Sequence, residues 1–220
     1  MPRERPVASR SVKLDIEGIV FDFGGVLWDM RWDIASELAG AHGLPDRALP
    51  ETLYVSDGWI EVQVGAGDRD RWRADAHAAL EALAGRTLPP LHETWRAGQH
   101  PIVENIDLVR RLRPPYRTAV LSNADSTLPD RLRYGVGIYD LFDDVVCSAL
   151  VRMAKPDPAI YALSAERLGL APQRCVFIDD SERNIEAARA AGMHAVHFRI
   201  DRGDRLESML ADLGVRARTG

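Results

Sequence analysis

The chain has 220 residues, a formal net charge of −5 at pH 7, 46% hydrophobic residues and 28% charged residues. This length suits one α/β domain with an insertion or two small domains, and the composition is that of an ordinary globular protein. The acidic balance argues against nucleic-acid binding, no apolar run approaches the ~20 residues needed to span a bilayer, and Met1 to Lys13 lacks the apolar core of a secretory signal. We therefore expect a cytoplasmic monomer or homodimer in which Cys147 and Cys175 are buried, reduced thiols.

The first predicted element is a buried strand at residues 17–22, because Gly24 and Gly25 stop a continuous apolar run there. Between this strand and residue 100 the apolar residues follow helical spacing, and no convincing strand occurs. We therefore predict a helical cap domain at residues 33–100. Its helices are expected at residues 32–42, at residues 68–83 and in a short segment around Trp95.

From Pro101 onward, predicted strands and helices alternate along the chain. This alternation is typical of a parallel, doubly wound sheet with right-handed crossovers. We therefore predict an α/β fold in which residues 14–32 and 101–220 form a Rossmann-like core that carries the small inserted helical cap. The expected strands lie at residues 118–121, 145–147, 175–178 and 194–198, and the expected helices at 102–112, 127–134, 159–168, 185–191 and 206–213.

Polar side chains follow three of these strands at the point where each strand ends, and the carboxyl ends of parallel strands meet at one edge of a sheet. Clustered carboxylates at that edge repel one another, and either a divalent cation or protonation relieves the repulsion. Oxygen ligands beside a phosphate suit Mg²⁺, and the arrangement indicates phosphoryl transfer through an aspartyl intermediate. The candidate residues are Asp22, Ser122, Asn123, Asp179 and Asp180, with Lys155 joining them from a loop.

Lys155 is also unusual in composition. Lysine occurs only at Lys13 and Lys155, although lysine and arginine together number 28. A lysine is a compact point charge, whereas arginine is a wide planar fork. Its retention at residue 155 therefore suggests a site too small for a guanidinium group, with chance survival on the surface as the alternative.

Four motifs occur in a fixed order from about residue 19 to residue 190. The first joins a strand to a Gly-Gly turn, the second and fourth end in polar pairs, and the third begins with Lys-Pro-Asp-Pro. They are Val20 to Asp29, Val120 to Asn123, Lys155 to Tyr161, and Phe177 to Asp180 together with Asn184.

In this order the motifs resemble those of the haloacid dehalogenase superfamily of hydrolases, in the subgroup with a small helical cap. The resemblance is greatest to bacterial sugar-phosphate phosphatases and the phosphatase domain of soluble epoxide hydrolases. It implies a Mg²⁺-dependent phosphatase that acts on a small phosphorylated metabolite. The implied roles are nucleophile for Asp22, charge neutralisation for Lys155, phosphate binding for Ser122 and Asn123, and metal binding for Asp22, the Gly24 carbonyl, Asp180 and Asp179.

Gly24 departs from the family pattern, in which phosphatases usually carry a second aspartate two residues after the nucleophile. That aspartate protonates the leaving oxygen and then activates water, and the loss of such a group typically costs ~10²–10⁴-fold in rate. The proton could instead come from metal-bound water, from the substrate or from another side chain. The candidate side chains are Asp125, His77, His92 and His100.

Two alternative functions remain open at this point. A 2-haloacid dehalogenase needs no general acid, since Asp22 would attack carbon and release a halide, but Asp179 and Asp180 would then repel the nucleophile without a metal. A catalytically impaired binding or regulatory member would also tolerate Gly24. Segments 29–33 and 99–105 are expected to act as hinges for the cap.

The tryptophans are predicted to divide between the site and the cap. Trp28 and Trp32 follow the nucleophile loop with Arg31, and they could line the entrance to the site or pack in the cap. Trp59, Trp72 and Trp95 are expected in the cap core.

Overall fold

The computed structural model describes residues 14–219, so the predictions for Met1 to Lys13 lie outside the described residues. Within this range five parallel strands form one sheet, and two short strands form a separate antiparallel ribbon. The sheet strands are β1 (Gly18–Phe21), β4 (Arg117–Ser122), β5 (Asp144–Cys147), β6 (Cys175–Asp179) and β7 (His194–His197), and the ribbon strands are β2 (Trp28–Asp29) and β3 (His100–Pro101).

The helices fall into two groups that the ribbon separates along the chain. The first group is α1 (Trp32–Ala41), α2 (Ala48–Tyr54), α3 (Asp57–Val62), α4 (Arg69–Ala84) and α5 (Leu91–Ala97). The second group is α6 (Val103–Leu112), α7 (Leu128–Asp130, continued by a wider π-helical turn at Arg131–Val136), α8 (Ser148–Val151), α9 (Pro158–Arg167), α10 (Glu182–Ala190) and α11 (Leu206–Asp212).

Strand β1 lies at the centre of the sheet, whose spatial order is β5-β4-β1-β6-β7. Gly18 pairs with Arg117 of β4 on one side and with Cys175 of β6 on the other. Ile19 and Phe21 enter the hydrophobic cluster on one face of the sheet, and Val20 enters the cluster on the opposite face. Burial on both faces explains why the strand is a continuous apolar run. The predicted doubly wound α/β fold is therefore confirmed.

Helices α1 to α5 pack around a hydrophobic core of their own. Its members all lie between Ala35 and Trp95, and none of them belongs to the two clusters that cover the sheet. The core is rich in aromatic rings, with the Trp59 and Trp72 centroids 4.9 Å apart. A core confined to this segment supports the predicted cap, whose boundaries at residues 33 and 100 stay a prediction.

The ribbon joins the two groups of helices. Trp28 pairs with Pro101 and Asp29 with His100, so the chain enters and leaves the helical segment at neighbouring positions. The Asn105 amide fixes this crossing by donating a hydrogen bond to the Val26 carbonyl at 2.7 Å. The ribbon adjoins both predicted hinges, whose motion stays a prediction. Among residues 14–219, no helix combines the length and the apolar character that crossing a membrane requires.

Candidate active site

Asp22 stands at the carboxyl end of the central strand, where the chain leaves the sheet. Its amide continues the ladder by donating to the Ile178 carbonyl at 2.8 Å, while its Oδ1 accepts a hydrogen bond from the Phe23 amide at 2.6 Å. The following turn is closed by Trp28, whose amide donates to the Phe23 carbonyl at 2.9 Å. These contacts hold a buried carboxylate at the edge where β4 and β6 also end.

The two glycines of the turn have different physical roles. Gly25 has a φ of +79°, and a Cβ on it would lie 2.3 Å from Oδ2 of Asp180. Gly24 lies outside the left-handed region, and a Cβ on it would meet only the flexible Met30 side chain, at 3.2 Å from Sδ. In residues 14–219 no hydrogen bond reaches the Gly24 carbonyl, so this oxygen is available as a ligand.

Lys155 forms the positive centre of the carboxylate group. Its Nζ lies 3.0 Å from Oδ2 of Asp22 and 2.6 Å from Oδ2 of Asp179, and its side chain is 1% exposed. Burial alone would lower the pKa of Lys155, but the carboxylates of Asp179 and Asp22 raise it above its usual range. The ammonium group is also 5.3 Å from the centroid of the Phe177 ring. Lys155 is therefore charged and enclosed, as the compositional argument predicted.

Asn123 holds the lysine loop in place. Its Oδ1 accepts from the Lys155 amide at 2.8 Å, and its Nδ2 donates to the Lys155 carbonyl at 2.9 Å. The same Nδ2 contacts Oε1 of Gln63, at the end of α3, at 3.0 Å. The amide thus has a structural use that sequence reasoning missed, and its predicted contact with substrate stays a prediction. Its neighbour Ser122 is buried and lines the same cavity as Asp22.

Asp179 is fully buried and makes most of its contacts with protein groups. Besides Lys155, its carboxylate accepts from the Ser181 amide at 2.8 Å and from Nδ2 of Asn184 at 3.0 and 3.1 Å. These contacts suit a carboxylate that positions Lys155 and the loop carrying Asp180. Its predicted role in metal binding stays a prediction.

The three carboxylates form a compact group. Asp22, Asp179 and Asp180 each offer an oxygen, and these oxygens lie within 4.8 Å of one another. Burial raises the pKa of Asp22 to about 6, with Lys155 opposing the shift and Asp179 adding to it. Burial and the charges of Asp22 and Asp179 raise the pKa of Asp180 to about 7. One lysine is therefore too little positive charge for this group, and the oxygen donors fit a hard divalent cation.

A cavity of about 270 Å³ opens beside these carboxylates and extends to the helical segment. Asp22, Ser122, Lys155 and Asp180 line it at the sheet edge. Its apolar wall is aromatic. Trp59 and Trp72 belong to the core of the helical segment, as predicted, and both also line the cavity. The aromatic residues of the lining are Phe23, Trp28, Trp32, Tyr54, Trp59 and Trp72.

Three charged side chains that sequence reasoning missed also line the cavity. They are Arg73 from α4, Arg96 from α5 and Arg131 from the turn after α7. The Arg131 guanidinium lies 5.4 Å from the centroid of the Phe23 ring, next to the nucleophile. Arginine is so common in this chain that no local pattern distinguishes these three.

Only one of the four candidate proton donors lines the cavity. His77 contacts Glu81 and His100 contacts Asp29, while His92 is buried in the helical segment. Asp125 does line the cavity. Burial would raise its pKa, but hydrogen bonds from Thr127 and the charge of Arg131 hold the pKa of Asp125 below its usual range. Asp125 is therefore ionised at neutral pH and makes a poor proton donor.

Comparison with known proteins gives consistent matches across most of the chain. A family model described as haloacid dehalogenase-like hydrolase matches residues 16–192. The chain is 36% identical over 194 residues to fructose-1-phosphate phosphatase YqaB of Escherichia coli, which covers 83% of this chain and 96% of the relative. It is 41% identical over 202 residues to a phosphorylated carbohydrates phosphatase of Thermotoga maritima, covering 83% and 84%.

A solved structure of a haloacid dehalogenase family enzyme from Bacteroides thetaiotaomicron, in complex with magnesium and inorganic phosphate, has the same fold. The TM-score is 0.64 at 22% identity, and the alignment covers 88% of this chain and 98% of the other.

Proposed function

Because the chain belongs to the haloacid dehalogenase-like hydrolases and is a phosphoric monoester hydrolase, we propose that it is a Mg²⁺-dependent phosphatase of a small phosphorylated metabolite. The observation that carries this proposal is the buried Asp22 carboxylate, which contacts Lys155 at 3.0 Å and faces a cavity large enough for a small organic molecule. Two relatives are named for phosphorylated sugars, which supports a substrate of that size.

In the proposed reaction a carboxylate oxygen of Asp22 attacks the phosphorus atom of the substrate. A bond forms between this oxygen and phosphorus, the ester bond breaks, and the leaving oxygen departs with its electron pair. Water then attacks the aspartyl phosphate, which releases inorganic phosphate and restores the carboxylate. Lys155 offsets negative charge next to Asp22, and the hydroxyl of Ser122 is positioned on the cavity wall to donate to a phosphate oxygen.

The donor set fits Mg²⁺. Asp22, Asp180 and the Gly24 carbonyl would hold the ion, while Asp179 would support the site through the Asp180 loop. When bound, Mg²⁺ would neutralise the carboxylates and the phosphate and so permit an anion to approach Asp22. The raised pKa values of Asp22 and Asp180 support this assignment, because burial and then the neighbouring carboxylates disfavour the charged forms, which a bound cation would stabilise.

Gly24 limits which phosphate esters the site can hydrolyse rapidly. It offers no proton to the leaving oxygen, and Asp125 is held in its ionised form. Without a general acid, the rate depends strongly on how easily the leaving oxygen bears negative charge. We therefore expect aryl and other weakly basic leaving groups to react faster than simple alkyl ones.

The test is phosphate release from phenyl phosphate with and without Mg²⁺, in the wild type and in Asp22→Asn. We expect Mg²⁺-dependent release that disappears in this variant. Asp212→Asn is the matched control, since Asp212 is an exposed carboxylate on α11. Full activity of Asp22→Asn would overturn the proposal. Metal-independent chloride release from 2-chloropropionate would instead identify a dehalogenase, and no turnover on a broad panel of phosphate esters would favour a binding role.

A further inference from the structure

The cavity has a positively charged wall for which the described residues supply too little negative charge. Arg73, Arg96 and Arg131, hereafter the arginine cluster, line the cavity together with the carboxylate of Asp125. Within residues 14–219, no carboxylate forms a salt bridge with any guanidinium of the arginine cluster. Three positive charges and one negative charge therefore share this part of the wall.

Buried hydrogen-bond donors without acceptors line the same cavity. Nε of Arg73, Nε of Arg131 and Nε2 of Gln99 are buried and have no hydrogen-bond partner among the described residues. All three side chains line the cavity. Burying a donor without an acceptor costs free energy. Native structures therefore retain such donors mainly where a ligand or a bound water accepts their hydrogen bond.

The three guanidinium groups are close enough to influence one another. Arg96 acts electrostatically on both Arg73 and Arg131, and all three act on Tyr54. Burial raises the pKa of Tyr54, so its hydroxyl stays protonated and is a further donor on the same wall. Burial is also the main cause that lowers the pKa of Arg131 and Arg73. An anion bound here would reduce the repulsion between the guanidinium groups and would accept hydrogen bonds from the unpaired donors.

The charge balance differs between two groups of side chains that line the cavity. At the sheet edge the carboxylates outnumber Lys155, which suits a metal ion and a phosphate. At the arginine cluster the positive charges outnumber Asp125, and aromatic side chains line the same cavity. A ligand that satisfied both groups of side chains would carry a phosphate and a second anionic group, joined by a part that packs against the aromatic lining.

We propose that the arginine cluster is a second anion subsite, and that the substrate is a phosphate monoester whose alcohol portion carries a further anionic group, a carboxylate or a second phosphate. This proposal rests on the proposed function, since it assigns the first phosphate to Asp22. The guanidinium fork matches the oxygens of either anion. The charge of Asp125 acts on Arg131 and lowers the affinity of the subsite for anions in general.

Binding of non-hydrolysable phosphonates tests the subsite without turnover. The probes are 4-carboxyphenylphosphonate and 4-carbamoylphenylphosphonate, which have nearly the same shape and differ by one negative charge. Isothermal titration calorimetry in the presence of Mg²⁺ should give a dissociation constant for the carboxylate probe that is at least about tenfold lower than that for the carbamoyl probe. Equal affinities for the two probes, or binding of neither, would overturn the proposal.

Variants of the arginine cluster test whether these residues cause the preference for the carboxylate probe. In Arg131→Gln and in Arg73→Gln the preference for the carboxylate should fall to about threefold or less. Arg71→Gln is the matched control on the same helix as Arg73, because Arg71 is exposed and contacts Asp75, and it should keep the full preference. Two variants are needed because Arg131 is the more deeply enclosed, and each is checked by circular dichroism. A preference that survives in a folded Arg73→Gln and a folded Arg131→Gln would contradict the assignment.

Turnover separates this proposal from the proposed function. The two matching esters, 4-carboxyphenyl phosphate and 4-carbamoylphenyl phosphate, should both release phosphate, with the higher kcat/KM for the carboxylate. Release from both esters at equal kcat/KM, with equal phosphonate affinities, would overturn the subsite and leave the phosphatase proposal standing. No release from either ester, together with a retained phosphonate preference, would overturn the phosphatase proposal and the substrate assignment, and would leave the arginine cluster as an anion-binding site.

Discussion

Oδ2 of Asp180 occupies the space that a side chain on Gly25 would need, at 2.3 Å from the position of its Cβ. The φ of +79° at Gly25 adds backbone strain for any other residue. Gly25→Ala should therefore displace Asp180 and lower kcat/KM by about 100-fold, the scale expected for a misplacement near 1 Å. Phosphate-release kinetics across a Mg²⁺ titration measure this loss.

Gly24→Ala is the matched control for that experiment. A Cβ on Gly24 meets only the Met30 side chain, which can move by the few tenths of an ångström required. The loss in Gly24→Ala should accordingly be under about tenfold. Similar kinetics for the two alanine variants would show that the contact between Gly25 and Asp180 does not position the site.

Gly24→Asp should restore a proton donor at the position where the family usually has one. The gain should be largest for alkyl phosphates, about tenfold or more in kcat, because these leaving oxygens depend most on protonation. Gly24→Asn has the same size without the acidic proton and should bring no gain. A plot of log kcat against leaving-group pKa measures the effect, and an unchanged slope in Gly24→Asp would contradict it.

Lys155→Arg should behave as a loss of function although it keeps the charge. The ammonium group is enclosed between two carboxylates and the Phe177 ring, and a planar guanidinium is too wide for that space. We expect kcat/KM of Lys155→Arg to fall at least about 100-fold, and kcat/KM of Lys155→Met to fall by a similar factor. Removing one partner of a buried ion pair costs about 3–5 kcal/mol, so the metal-free Lys155→Met protein should also unfold at lower urea concentration. Near wild-type activity of Lys155→Arg would show that the site has room for the larger group.

His92 should make the stability of the protein depend on pH. It is 4% exposed, and its Nε2 lies 3.2 Å from the Leu49 carbonyl and 3.1 Å from Oγ1 of Thr52. Burial lowers the pKa of His92 below its ordinary value of 6.5. The unfolded chain therefore takes up this proton first as the pH falls, so the stabilisation is complete above about pH 6.5 and declines below it.

Urea unfolding of wild type and His92→Gln between pH 8 and pH 5 checks this dependence. The variant should be less stable at pH 8, and the difference in free energy of unfolding should shrink as the pH is lowered. His77→Gln is the control in the same helical segment, because the His77 side chain is 33% exposed. A difference between wild type and His92→Gln that stays constant over this pH range would argue against a buried neutral His92.

The sheet and the site at its edge could be predicted because both depend on local signals. Strands such as β1 and β6 are buried on both faces, so each is an unbroken apolar run, and each ends at a polar residue. Parallel pairing then brings Asp22 and Asp179 to one edge without further information. The retained Lys155 indicated a small enclosed site, and its position between those two carboxylates agrees.

The helical segment was harder to predict because its structure depends on packing between distant residues. Helices α2 and α3 are short, have little periodicity of their own and are stabilised by contacts among aromatic rings. The ribbon pairs only two residues on each side and includes Pro101, so it leaves no strand pattern. The arginine cluster draws on three separate elements, and only their meeting around the cavity distinguishes its members from other arginines.

The two-residue ribbon has a consequence for how such a protein can change. Asp29 and His100 face each other across the ribbon, so the whole helical segment begins and ends at one point of the core. The strands of the sheet and the nucleophile turn lie outside the residues between them, so a segment of another length or sequence could be inserted there without altering the strand order. Mutation, recombination or engineering can therefore exchange the cavity lining that α1 to α5 supply without changing the residues of the sheet edge.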